Sequence, residues 1–151
     1  HDEIVDIRLI DEEYPLEKCL EALKKAAPDD IEFVAIAEDG MPMKTIGYAK
    51  YELTFESFGF GDSLSEFLSR DSIICEKIGK KGKVKEIDLI PKIKTAEVTD
   101  KGVNLTLVAG SEDNLNPSLV ISAFFEQSGI SPVYYAVKRT MIYNRDFKEF
   151  K

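Results

Sequence analysis

The sequence predicts an α+β protein. Segments with the two-residue period of a strand alternate along the chain with segments that have the period of a helix. After residue 48 their order is strand, helix, several antiparallel strands, helix and strand, which is the order of a ferredoxin-like βαββαβ unit enlarged by an extra β-hairpin. Before it, a strand, a helix and a second strand form the second half of a small split βαβ unit. The predicted domains are 1–43 and 48–145, with a charged tail at 146–151.

The first unit contains one helix between two predicted strands. The segment "EIVDIRLI" (3–10) alternates apolar and polar residues, and "IEFVAIAE" (31–38) has the composition of a short strand. Between them, "YPLEKCLEALKKAAPDD" places leucines and Cys19 on one helical face, and Pro28 ends the helix. Two strands and a helix lack partners for a stable sheet. We therefore expect residues 1–43 to be the C-terminal half of a small α/β subdomain, in a chain that continues a longer polypeptide.

The second unit begins with "AKYELTFE" (49–56), in which apolar and polar residues alternate without exception. A short helix follows in "FGFGDSLSEFLSRD", where Ser63 and Glu66 have the spacing of a capping box. The strands "SIICEKI" and "VKEIDLI" are joined by "GKKGK", whose glycines suit a hairpin loop. A second strand pair is predicted around the turn at 99–102.

The carboxyl-terminal part of this unit has the clearest helix signals. In "NLNPSLVISAFFEQSG", Asn116 is placed to cap the helix, Pro117 suits the first helical position and Gly129 suits the residue after the last turn. The segment "VYYAVKRTMIY" (133–143) is predicted to be the last strand. These two elements complete the ferredoxin-like order.

Charge is distributed unevenly over the 151 residues, whose formal net charge is −8. Residues 1–40 hold thirteen acidic and four basic side chains, a net of −9, whereas residues 41–151 have a net of +1. An acidic unit beside a local basic patch leaves nucleic-acid binding open. The sequence has neither the apolar run of a membrane helix nor a signal-peptide pattern. We expect a cytoplasmic protein with no membrane partner, and the presence of only two cysteines, Cys19 and Cys75, far apart in sequence, agrees with a reducing compartment.

The residues needed for several kinds of catalysis are missing from the sequence. The one histidine, His1, stands at the chain start, which excludes Ser-His-Asp and Cys-His arrangements and histidine metal sites. Acidic clusters such as "DEEY" and "APDD" lie at predicted helix ends, where solvated carboxylates are ordinary. The glycines of "GFGDS" do not complete a phosphate loop. No catalytic residue, metal or cofactor is predicted, and enzymatic activity stays open, with a binding role favoured.

The extra hairpin concentrates the positive charge of the chain. It holds five lysines within nine residues: Lys77, Lys80, Lys81, Lys83 and Lys85. Such a hairpin can neutralise several phosphates of a nucleic acid with little sequence selectivity. The alternative is that these lysines prevent the hairpin edge from pairing with other chains. Charge alone favours the second interpretation.

The last predicted strand offers a second candidate contact for nucleic acid. The segment "VYYAVKRTMIYNR" (133–145) holds Lys138, Arg139 and Arg145 beside three tyrosines, Tyr134, Tyr135 and Tyr143. Single-strand binders stack bases on exposed aromatic rings of a sheet. The segment does not match the RNP signature, however, and half-buried packing is the more ordinary role for tyrosines on an amphipathic strand. We retain Lys138 and Arg139 as candidate contacts.

Several short motifs resemble the bacterial radical-SAM-linked protein family, a domain of unknown function. They are "KKGKVKEIDLIPKI", "NLNPSLVISAF" and "VKRT", and the opening "HDEIVDIRL" with "LKKAAPDDIEF" is similar to the acidic start of the same region. The resemblance covers nearly the whole chain. It implies a partner, because such proteins are encoded beside, or fused after, a radical SAM enzyme with a cobalamin-binding region. It carries no catalytic residues.

Three functions follow from these observations. We expect an accessory domain that helps a radical SAM enzyme engage RNA through the lysine hairpin and the strand of Lys138 and Arg139. The second hypothesis is a protein docking module that uses the acidic residues 1–40 and binds no nucleic acid. The third is an enzyme whose site lies mainly in a region that members of this family carry ahead of residue 1.

Overall fold

The computed structural model describes residues 5, 7, 9–10, 13–38, 40–78 and 84–150, with the backbone alone for residues 77 and 78. The chain divides into two compact units, residues 2–43 and residues 44–150.

The smaller unit contains the helix α1 (Leu16–Ala26). Cys19 is buried on its apolar face, and the N–H of Ala27 donates the last helical bond to Leu23, one residue before Pro28. The predicted strand over 31–38 is not formed, and these residues are irregular. The described residues of the predicted strand over 3–10 are irregular as well. A strand persists only when a partner accepts its ladder of hydrogen bonds, and the described residues of this unit include no such ladder.

The larger unit is an α+β domain with a four-stranded sheet and a separate two-stranded hairpin. Its elements are β1 (Ile46–Phe55), α2 (Gly61–Leu68), β2 (Ile74–Ile78), β3 (Val84–Asp88), β4 (Ile93–Thr99), β5 (Gly102–Val108), α3 (Pro117–Ser128) and β6 (Tyr135–Asn144). Short 3-10 turns at Met43–Thr45 and Ile90–Lys92 precede β1 and β4.

The strand order of the large sheet is β4-β5-β1-β6, and each neighbouring pair is antiparallel. With the β2–β3 hairpin set aside, this is the ferredoxin-like order, in which the first strand lies between the third and the fourth. The hairpin is inserted between α2 and β4. The predicted fold class is therefore confirmed.

One face of the sheet, here called the helix face, packs against α2 and α3. Leu53 and Phe55 of β1 and Leu105 of β5 are buried there against Phe67 of α2 and Phe124 of α3. Phe124 also packs against Phe60, Phe67 and Phe125, with ring centroids 5.3 to 5.5 Å apart. The opposite side of the sheet is here called the far face. Alternate residues of each strand point to opposite faces, so the period-two pattern of β1 divides its residues between the two.

The two helices of this unit begin differently from each other. The Oδ1 of Asn116 accepts the N–H of Ser118 at 2.9 Å, Pro117 occupies the first turn, and Gly129 has a φ of 70°, so the predicted caps of α3 are confirmed. The capping box predicted for α2 is wrong. That helix begins at Gly61 with Phe60 at the N-cap, and no side chain caps it. Ser63 therefore lies inside the first turn, where its side chain cannot act as the N-cap.

The residues that follow β6 turn back along its outer edge. The N–H of Asn144 donates to the carbonyl of Lys148 at 2.8 Å, and the N–H of Phe150 donates to Ile142 at 2.9 Å. Phe150 is buried at 7% exposure. The segment predicted as a charged tail thus contributes a packed side chain to the large unit.

Candidate functional site

The lysine hairpin is a regular two-stranded ladder over its described residues. Lys77 pairs with Lys85, and Glu76 pairs with Glu86. Lys80, Lys81 and Lys83, in the loop between the strands, lie outside the described residues. Because paired residues share a face and successive residues alternate, the register assigns the two lysines to one face of the hairpin and the two glutamates to the other.

The base of the hairpin is part of the hydrophobic core. Cys75 and Leu89 are buried, and Ile87 packs against the same cluster. The Nε2 of Gln127 on α3 donates to the carbonyl of Ile74 at 2.8 Å, which ties β2 to the helix. Lys85 lies two residues from Ile87, on the same face of β3, and is exposed. The two paired lysines of the hairpin therefore belong to the same face whose residues nearer the base pack against the core.

Asp88 holds the two ends of the hairpin together. Its Oδ1 accepts the N–H of Ile73 at 2.9 Å and of Ile90 at 3.1 Å, and its Oδ2 accepts the hydroxyl of Ser72 at 3.0 Å. These hydrogen bonds lower the pKa of Asp88 below its ordinary value, and the bond from the Ile73 N–H contributes most. The aspartate in "KEIDLIP" thus has a structural role.

Lys138 and Arg139 belong to opposite faces of the large sheet. Lys138 is exposed and pairs with Glu52 on the far face, whereas Arg139 pairs with Tyr51, which packs against the core on the helix face. Burial raises the pKa of the Tyr51 hydroxyl, and the positive charge of Arg139 partly opposes that shift. Neighbours on a strand alternate in direction, so these two cations do not extend one common surface.

The three tyrosines of the last strand are separated as well. Tyr134 precedes β6 and is 74% exposed. Tyr135 packs against Phe55, with ring centroids 5.4 Å apart. Tyr143 stacks on Phe147 at 4.5 Å with an interplanar angle of 9°. They do not form one aromatic platform, and only Tyr143 belongs to an aromatic group outside the core cluster.

That group, here called the aromatic corner, consists of Tyr48, Tyr143, Phe147 and Lys94. Tyr48 and Phe147 make an edge-to-face contact with centroids 5.7 Å apart. The Nζ of Lys94 lies 5.9 Å from the centroid of Tyr48 and 5.8 Å from that of Phe147, within the range of a cation–π interaction. Sequence analysis missed the corner because its residues come from four separate places, namely β1, β4, β6 and the turn after β6.

A cleft of about 210 Å³ lies next to the corner and shares Tyr48 with it. Arg145 and Glu112 also line it, together with Asp113, which forms an ion pair with Lys92. A Cβ on Gly47 would lie 2.8 Å from the Cα of Arg145, so a glycine is needed where the two backbone segments approach.

The described part of the chain contains neither a metal-binding cluster nor a helix that could span a membrane. No group of three or more His, Cys, Asp or Glu side chains that could hold a metal ion is found there. Among the described helices, none has the length and apolar character required to cross a bilayer.

Fold and site together define a ferredoxin-like α+β domain that carries an inserted basic hairpin and an aromatic corner on its far face. The chain belongs to the family described as "Uncharacterized protein conserved in bacteria (DUF2344)", whose model matches residues 1–117. Neither a curated protein nor a solved structure matches the chain. The matched range contains the hairpin and ends where α3 begins.

Proposed function

We propose that this domain is an accessory binding module that helps a cobalamin-type radical SAM enzyme engage RNA, with the lysine hairpin as the contact to phosphate. The motif resemblance described above supports the enzyme partner. The register of the hairpin supports RNA as the ligand, since it assigns acidic and basic residues to different faces.

The pairing of Lys77 with Lys85 is the observation that carries the proposal. The two residues belong to one face of the hairpin, so their positive charges can serve the phosphates of a single RNA backbone. Glu76 and Glu86 belong to the opposite face, so an RNA backbone can approach the lysines without meeting them. Three further lysines of the loop extend the positive charge along the sequence.

Edge protection is the competing explanation for the same lysines. Among the described residues no third strand pairs with either edge of this ladder, and lysine at such edges keeps them from pairing with other chains. The two explanations differ in what they predict for salt. Phosphate contacts release counterions and therefore weaken steeply as salt rises, whereas edge protection requires no ligand.

The test is a titration with single-stranded RNA over a series of salt concentrations. We expect replacement of Lys80, Lys81 and Lys83 by Glu to weaken binding. The slope of log Kobs against log salt should fall by about 2, since each phosphate contact to a single strand contributes roughly 0.7. The matched control replaces Lys18, Lys24 and Lys25 of α1 by Glu. These lysines are exposed, and the replacement changes the net charge equally. Equal slopes for the two triple variants would contradict the hairpin assignment.

The second candidate function is protein docking through the acidic unit. Ile31 and Val34 are 52% and 76% exposed there, among exposed acidic residues such as Asp30 and Glu32. Exposed apolar side chains beside charged ones are typical of protein contact surfaces. The same titration separates the two functions, because a protein-only role predicts no RNA binding even at low salt.

A further inference from the structure

We infer that the aromatic corner of Tyr48, Tyr143, Phe147 and Lys94 is a stacking site for one base of single-stranded RNA. The inference rests on the proposed function and adds a second contact to it. The hairpin would recognise phosphate, whereas the corner would recognise the flat face of a base. Loss of the phosphate contact and loss of the base contact should therefore have different effects on RNA binding, and one experiment can distinguish them.

Phe147 is held in a backbone conformation that bulky residues rarely adopt. Its φ is 62°, in the left-handed region. The Oδ1 of Asn144 accepts the N–H groups of Asp146 at 3.0 Å and Lys148 at 2.8 Å, and the N–H of Phe147 donates to the Asn144 carbonyl at 3.1 Å. Strain of this kind persists only where the surroundings fix it, and it is concentrated at functional sites. The turn therefore fixes the position of the Phe147 ring.

Phe147 remains partly exposed despite these contacts. Tyr143 covers one face of Phe147 with a nearly parallel ring, and Phe147 is still 41% exposed. Its ring would receive a base on the face away from Tyr143, after the exposed Lys94 side chain moves aside. Aromatic faces that already rest on a second ring make rigid platforms, and base stacking on them tolerates any base.

Charge at the corner favours a nucleotide over an uncharged ligand. The ammonium group of Lys94 lies above the rings, and once it has moved aside it can pair with the phosphate next to a stacked base. Arg145 lines the neighbouring cleft. The acidic side of that cleft is partly neutralised, since Asp113 is paired with Lys92. The cleft, about 210 Å³, is smaller than the ~300–1,000 Å³ of pockets that enclose a small molecule, which suits contact with a polymer.

The experiment uses the fact that the chain has no tryptophan. In the Phe147→Trp variant, the single tryptophan reports on the corner alone. The variant is titrated at low salt with an oligoadenylate and with an abasic oligonucleotide of the same length and backbone. We expect the oligoadenylate to quench the tryptophan emission and to bind at least about fivefold more tightly, the smallest effect of one stacked base.

The control variant is Phe147→Asn, which removes the ring and suits a left-handed backbone. With labelled oligonucleotides, it should bind both at the affinity of the abasic one. Circular dichroism confirms that each variant is folded.

Equal affinities for the two oligonucleotides in the unsubstituted chain would overturn the stacking site and leave the hairpin contact standing. Binding of neither oligonucleotide at low salt would overturn both. The same holds if a protein partner binds while both oligonucleotides remain unbound.

Discussion

The helix face and the far face of the large sheet are built from alternating residues of the same strands, yet they meet very different demands. On β1, Leu53 and Phe55 are 1% and 5% exposed in the core, whereas Glu52 and Thr54 are exposed. The helix face must fill space at the density of a protein interior. The far face has no such requirement over its exposed positions, so charged and aromatic residues there are available for binding. Function is therefore best sought by face rather than by segment.

The largest effect should separate two neighbours on β1. Leu53→Ala removes a buried side chain and leaves a cavity, so we expect the free energy of unfolding to fall by about 2–5 kcal/mol. Thr54→Ala, one residue later on the far face, should cost no more than about 1 kcal/mol. Urea unfolding followed by circular dichroism measures both values. Equal losses of stability would mean that packing on the helix face is no more important than packing on the far face.

A smaller effect concerns the helices that cover the helix face. Asn116→Ala removes the side chain that accepts the N–H of Ser118, and we expect a loss of about 1 kcal/mol. Ser63→Ala is the matched substitution in α2, where the serine caps nothing, and its effect should be much smaller. The same unfolding measurement compares them. A larger loss at Ser63 than at Asn116 would restore the capping box that the sequence predicted.

The smallest effect should appear only in acid and concerns the base of the hairpin. The folded pKa of Asp88 is lowered, so the carboxylate contributes stability above its unfolded pKa of about 3.9. That contribution is lost as the pH falls through the folded pKa. We expect stability to decline more from about pH 6 to about pH 2 in the unsubstituted chain than in Asp88→Asn. Parallel pH profiles would show that Asp88 makes no linked contribution.

Much of the fold could be predicted because its signals are local. The alternation of β1, the turn between β4 and β5, and the Asn-Pro start of α3 each act within a few residues. The strand predicted over 31–38 failed because composition cannot supply a partner. The capping box at Ser63 failed because α2 begins three residues earlier than the motif suggests, with Phe60 rather than Ser63 at the N-cap.

The candidate sites were less predictable because they depend on register. Lys138 and Arg139 are neighbours in sequence, and the pleat of β6 directs them to opposite faces. Conversely, Tyr48, Lys94 and Phe147 are distant in sequence and meet only because the sheet brings β1, β4 and the turn after β6 together. The sequence of β6 contains the alternation that places Lys138 and Arg139 on different faces. No local sequence pattern indicates that Tyr48, Lys94 and Phe147 are in contact.

The position of β1 in the middle of the sheet has a consequence for how the chain folds. The pairs β2–β3 and β4–β5 close over short loops. Strand β1 instead pairs with β5 and with β6, which follow it at a long distance in the sequence, and Phe55 pairs with Tyr135 only once β6 is in place. Long-range pairings of this kind raise the contact order and slow folding, since the entropy of the intervening chain is lost before the contacts form. During synthesis, the alternating apolar side chains of β1 thus emerge well before their partners, which makes this strand the segment most in need of protection from aggregation.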